Sequence, residues 1–140
     1  MRAAAIDLGK VRVGLAVSDE LGLLAHPRPF LDASSPGRLI GQLIELARCD
    51  GIEVFLVGLP RTLKGTEGPP ARRARRFAED LERRSGLRVE LVDERLTTRE
   101  AGARLREQGL STREARQRID SAAAAVLLQA WLDARPAPVL

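Results

Sequence analysis

The run Val54-Phe55-Leu56-Val57, bounded by Asp50-Gly51 before it and Gly58-Leu59-Pro60 after it, constrains this chain more than any other feature. A short, unbroken apolar run between turn signals reads as a strand buried on both faces, the position of a central parallel strand covered by helices. Both flanks supply those helices. Ser35-Pro36 predicts an N-cap followed by proline at the first helical position. Leu39, Ile40, Leu43, Ile44 and Ala47 then recur at helical spacing until Asp50-Gly51. Downstream, Pro69 or Pro70 opens a second helix with Ala74, Phe77, Ala78 and Leu81 as its inward stripe, and Gly86 ends it. Val89, Leu91 and Val92 predict the next strand. Strands alternating with helices predict an α/β fold with parallel pairing and right-handed crossovers.

The first third of the chain has a different rhythm. Ala3 to Ile6 predicts a strand ending at Asp7, and Gly9-Lys10 turns the chain back. Val11, Val13, Leu15 and Val17 alternate with Arg12, Gly14, Ala16 and Ser18, which predicts a half-buried strand whose thin face lets a helix lie close. A short edge strand is expected around Leu23–Ala25 or Arg28–Leu31, since Pro27 and Pro29 argue against a long one. Near the other end, Thr97 with Glu100 and Ser111 with Glu114 are capping boxes, which predict two helices separated near Gly109. The last helix has Ala115, Ile119, Ala122, Ala123, Val126, Leu127, Ala130 and Trp131 as its expected inward stripe. With no internal repeat or linker, residues 1–134 read as one domain and 135–140, with two prolines, as a loose tail.

In open sheets of this kind, sites form beyond the carboxyl ends of the strands. Acidic residues stand at such ends here. Asp7 follows an apolar strand, where a carboxylate needs a partner; its structural alternative is a turn residue capping the hairpin at Gly9. Asp93 and Glu94 close the last strand, where a surface turn is the plain alternative. By alternation Asp93 shares a face with Val89 and Leu91, and Glu94 with Val92; which of them faces Asp7 stays open. Asp120 borders the stripe of the last helix, where the alanines after Ser121 permit close approach to the sheet; otherwise it is a solvated flank residue near Arg116. Three carboxylates at one end of a sheet can hold hard divalent cations such as Mg²⁺ or Mn²⁺, which serve phosphoryl transfer.

Composition narrows the function classes. The 140 residues, 44% of them apolar, are enough for a core and exclude global disorder. No apolar run reaches membrane-spanning length, and that of MRAAAIDLGK is too short for a secretory core, so a cytoplasmic protein without a membrane partner is expected. The single cysteine, Cys49, excludes an internal disulfide framework and a multi-cysteine zinc site, and near a helix end it reads as a packed thiol. A net charge of +4 invites a nucleic-acid partner. Only Lys10 and Lys64 are lysines, and Asn and Tyr are absent, a bias that a GC-rich genome produces without any function. The arginines of the second helix, from Arg72 to Arg84, read as a solvated lattice with Glu79 and Asp80. Arg12, Lys64, Arg95 and Arg99 flank the acidic positions and are the candidates for phosphate contacts. With three Phe and one Trp, mostly on inward stripes, recognition by base stacking is not expected. His26, before Pro27 in a loop, reads as incidental.

Five segments then fall in a telling order over nearly the whole chain: DLGKVRVGLAVSD from Asp7, GLPRTLKGTEGP from Gly58, FAEDL from Phe77, DERLTTREA from Asp93 and DSAAAAVLLQAWLD from Asp120. Together they resemble the YqgF family, also called RuvX or Holliday-junction-resolvase-like proteins, within the ribonuclease H-like superfamily. The resemblance implies a five-stranded mixed sheet flanked by helices. It implies a nuclease that matures the 5′ end of the precursor of small-subunit ribosomal RNA, with Asp7, Glu94 and Asp120 as catalytic and metal-holding carboxylates for Mg²⁺ or Mn²⁺. Two departures stand out. Val11 occupies a position where many relatives have Lys, and the wider superfamily often places a carboxylate where this chain has Gly58-Leu59-Pro60. A resolvase acting on branched DNA is the first alternative, and cutting two strands symmetrically would require a homodimer. A non-catalytic RNA-binding assembly factor is the second. An actin-like ATPase, suggested by the DLG hairpin alone, would need two such domains, for which the chain is too short.

Overall fold

The computed structural model describes residues 1–62, 64–94 and 121–135. The apolar run at Val54 lies within β4 (Ile52–Leu59), whose residues are buried except for Glu53. It pairs in parallel with β1 (Arg2–Leu8) on one side and β5 (Arg88–Asp93) on the other. β1 pairs antiparallel with β2 (Arg12–Ser18), and β2 with β3 (Ala25–Asp32). The strand order is therefore β3-β2-β1-β4-β5, the five-stranded mixed sheet that the motifs imply.

Helices cover both faces. On one side lie α1 (Pro36–Asp50) and α2 (Pro69–Ser85), each with proline in its first turn and a glycine cap in the left-handed conformation, Gly51 at φ 68° and Gly86 at φ 71°. The core there is built from large side chains, with Ile6, Val13, Leu15, Phe55 and Val57 of the sheet against Leu39, Leu43, Phe77 and Leu81. On the other side lies α3 (Ala122–Asp133), packed on a thinner layer of Ala3, Ala5, Ala16, Val54, Leu56 and Val92. No helix among the described residues is long and apolar enough to cross a membrane.

Several elements differ from the sequence expectation. β3 runs eight residues through Pro27 and Pro29. As an edge strand it pairs only with β2, so a missing N–H can fall on the unpaired side. β2 is buried on both faces from Val13 to Ser18, because its Gly14 and Ala16 face is covered by α3, while Val11 lies outside the strand and is 72% exposed. Cys49 is exposed on α1, not packed. The basic lattice on α2 is only partial: Arg83 pairs with Asp80, but Arg75 turns back to Glu67 in the preceding loop. The inward stripe of α3 is also rotated. Ala122 and Ala123 are exposed, and the buried face is Ala124, Ala125, Leu127, Leu128, Gln129 and Leu132.

That rotation follows from two polar anchors that an apolar periodicity cannot register. Gln129, fully buried, accepts from the Ala25 N–H at 2.9 Å and donates to the Leu23 carbonyl at 2.9 Å. Ser121, also fully buried, accepts from the Leu15 N–H at 3.0 Å. Each side chain satisfies backbone groups that would otherwise be costly to bury. Beyond α3, the Arg135 guanidinium lies 4.6 Å over the Trp131 ring. The helices expected from Thr97 and Ser111, the stripe positions Ala115 and Ile119, and tail residues 136–140 lie outside the described residues.

Candidate active site

Side-chain alternation decides which carboxylates meet. On β1, Ala3 and Ala5 belong to the layer under α3, so Asp7 follows them onto that face near the strand's carboxyl end. Its antiparallel partner is Gly14. On β5, Val92 belongs to the same layer, whereas Val89 and Leu91 pack on the α1–α2 side. Glu94, one residue past the end of β5, therefore joins Asp7, and Asp93 does not. Asp93 instead lies 3.7 Å from Arg61, an ion pair that sequence reasoning missed. The question left open between these two acids is thus answered by strand parity.

Asp7 and Glu94 share a cavity of about 310 Å³ with Ala123, Val126 and Leu127 of α3. Ala123 and Val126, expected to point into the core, form the wall of this cavity. Gly58, the register partner of Val92 on β4, makes room for the Glu94 side chain. A methyl carbon at position 58 would stand 2.7 Å from Glu94 Oε1 and 3.2 Å from its Cγ, so the glutamate lies directly across the glycine. A lone glycine ending an apolar strand is the signal that could have found it, since glycine in a strand often marks close approach.

Burial pushes the Glu94 carboxyl up to about 7, with the charge of Asp7, a hydrogen bond shared with Asp7, and the charge of Asp93 adding to the effect. Two carboxylates this close resist joint ionisation, and below about pH 7 the Glu94 carboxyl keeps its proton. Such a pair of hard oxygen donors can hold a divalent cation such as Mg²⁺ or Mn²⁺, with loss of that proton. No group of three metal-ligating side chains forms among the described residues. Asp120, Arg95 and Arg99 lie outside those residues. The chain neighbour of Asp120, Ser121, is held against β2 one residue from Gly14, the partner of Asp7. At this point the β2–β3 register slips between Val13 and Leu15.

The two described phosphate-contact candidates lie outside the cavity lining. Arg12 is exposed at the start of β2, its guanidinium 4.9 Å over the Phe30 ring, and Phe30 is itself 43% exposed. An aromatic at the surface beside a cation departs from the expected inward placement. Lys64 is exposed in the loop before α2.

A family model described as RuvX, Holliday junction resolvase, matches residues 1–134. The chain belongs to the RuvX family. Among its relatives, a protein from Anaeromyxobacter sp. (strain K), provisionally named a pre-16S rRNA nuclease, is 47% identical over 135 residues, covering 96% of this chain and 98% of that one. A relative with the same name from Symbiobacterium thermophilum is 44% identical over 137 residues, covering 98% and 95%. Among solved structures, Thermus thermophilus RuvC bound to a Holliday junction substrate matches with a TM-score of 0.66 at 19% identity, over 93% of this chain and 91% of that one. The fowlpox virus Holliday junction resolvase matches at 0.60 and 13% identity, over 96% and 100%. At these identities the structural likeness speaks to the fold, which is ribonuclease H-like. The RuvX pattern spans the strand ends that carry Asp7 and Glu94.

Proposed function

We propose that this protein is a metal-dependent nuclease that hydrolyses phosphodiester bonds in the precursor of 16S ribosomal RNA, near its 5′ end. The observation that carries this reading is the meeting of Asp7 and Glu94 in one cavity, with the Glu94 side chain lying in the space that the missing side chain of Gly58 provides. The names of full-length relatives at 44–47% identity support the RNA substrate.

Asp7, Glu94 and Asp120 would hold the cation, Mg²⁺ or Mn²⁺. When bound, such a cation supplies an activated water and neutralises charge on the phosphoryl oxygens. Glu94, a hydrogen-bond partner of Asp7 in the metal-free protein, would act as a ligand in its deprotonated form. The cavity between the carboxylates and Ala123, Val126 and Leu127 of α3 would leave room for a phosphodiester. Arg12, Lys64, Arg95 and Arg99 would position the flanking backbone.

Purified protein should cleave a precursor 16S rRNA fragment in Mg²⁺ or Mn²⁺ and lose the activity in EDTA. Asp7→Asn should lower the rate by more than about 100-fold, since loss of a ligand exceeds the effect of a supporting residue. An unchanged rate in Asp7→Asn would refute the mechanism. A four-way DNA junction assayed beside the RNA decides the substrate: preferential junction cleavage would replace the RNA reading with the resolvase reading. Metal-independent RNA binding without cleavage of either would favour an assembly factor.

A further inference from the structure

Behind the carboxylates, on the opposite face of the sheet, lies a second concavity of about 350 Å³. Leu8, the residue after Asp7, forms part of its wall, together with Phe77 of α2 and the start of α1. Lys10 from the β1–β2 turn, and Arg73 and Arg76 from α2, stand on its lining. All three cations are exposed, and no carboxylate among the described residues pairs with any of them.

Their lack of partners is selective. Arg75 on the same helix pairs with Glu67 at 2.6 Å, and Arg83 pairs with Asp80 at 3.0 Å. Asp80 also lines the cleft and stands four residues from Arg76, a spacing that suits an ion pair. Its carboxylate nevertheless engages Arg83. Three cations thus line one cleft whose carboxylate, Asp80, is engaged by Arg83, an arrangement that favours a polyanion. Position narrows the choice. Because Asp7 and Leu8 are adjacent, the cleft begins one residue from the carboxylate cavity, across the lip of the β1–β2 turn.

We infer that this cleft is a track for the phosphate backbone of a nucleic-acid strand, holding the segment that flanks the scissile bond on the far side of the sheet. The inference rests on the nuclease reading and adds to it a second contact region, independent of Arg12 and Lys64.

Binding of a fluorescein-labelled precursor rRNA fragment to the intact protein, in EDTA and over a salt series, tests it. In Arg73→Ala/Arg76→Ala, affinity at low salt should fall at least about tenfold. The slope of log affinity against log salt should shrink by about 1.4, as expected for two lost single-strand contacts. Arg72→Ala/Arg84→Ala removes the same charge from the same helix outside the cleft, and should change affinity less than about threefold. Cleavage in Mn²⁺ should show a raised KM for the long fragment with an unchanged kcat, and unchanged hydrolysis of bis(p-nitrophenyl) phosphate, which is too small to span both sites. Equal losses in the two double variants, or none in the first, would overturn the track while leaving the nuclease reading intact. Wild-type protein that neither binds nor cleaves RNA would overturn both.

Discussion

Asp7 and Leu8 are neighbours on one strand, yet they open onto two differently built layers. On the Asp7 side the sheet presents Ala3, Ala5, Ala16 and Gly58, and α3 answers with Ala124 and Ala125. On the Leu8 side Ile6, Val13, Leu15 and Phe55 meet Leu39, Leu43 and Phe77. The thin layer lets the α3 backbone lie close to the sheet, and Gly58, on β4 between β1 and β5, leaves Glu94 room to reach Asp7. The thick layer supplies most of the apolar volume and leaves cations at its open end. The lesson is that stability and chemistry are divided between the two faces of one sheet, so a substitution should have a different signature on each.

The largest effect that would sharpen this contrast is on stability. Leu43, fully buried on the thick side, should lose about 2–5 kcal/mol on truncation to Ala, measured by urea unfolding. Ala125, almost fully buried on the thin side, has no bulk to lose; enlarging it to Leu should cost about 1–3 kcal/mol by overpacking. If Ala125→Leu is neutral, the thin layer has slack and the division fails. Next comes Gly58→Ala. The added methyl group must displace the Glu94 carboxyl, so Mn²⁺ affinity should weaken by about 10–100-fold, the range for disturbing the support of a ligand. The melting temperature of the metal-free protein should barely move, because the neighbour that yields is the end of a flexible side chain. A Gly58→Ala protein that binds Mn²⁺ normally would show that Glu94 does not need that space.

The smallest effect is on pH dependence. Glu94 has its carboxyl raised from 4.5 to about 7, so the folded metal-free protein keeps a proton that the unfolded chain has released. That contribution to stability is complete below about pH 4.5 and is lost as the pH rises through about 7. Melting temperatures between these limits should therefore fall with pH more steeply in wild type than in Glu94→Gln, and Mn²⁺ affinity should rise over the same interval. Identical melting curves across that range would remove the shared proton.

Much of this architecture was legible because strong local signals agree with the fold. The run at Val54, the Ser35-Pro36 start and the Gly51 and Gly86 stops each correspond to the element they predict. The pairing of Asp7 with Glu94 was readable only as two strand ends. Choosing Glu94 over Asp93 required knowing that Val92 and Ala5 share a layer, a long-range fact that period-two alternation does not contain. The face of α3 was misread because Ala122 to Leu128 are apolar all round, and Gln129 and Ser121 decide the rotation through bonds to distant backbone. Cys49 departs from expectation because a free cysteine is usually packed, whereas here it falls outside the stripe of Leu39, Ile40, Leu43 and Ala47 and faces solvent. The cleft at Lys10 was hidden for another reason: its cations come from a turn and a helix far apart in the chain, and the arginines of α2 look alike until their partners are known.

Ser121 and Gln129 grip α3 about two turns apart, one on β2 and the other on β3. A rod greased on every side would otherwise be free to roll or creep along the sheet, and the width of the carboxylate cavity would drift with it. Two hydrogen-bonded pegs oppose both freedoms, so the height of Ala123, Val126 and Leu127 above Asp7 is set by polar stops as well as by oily packing.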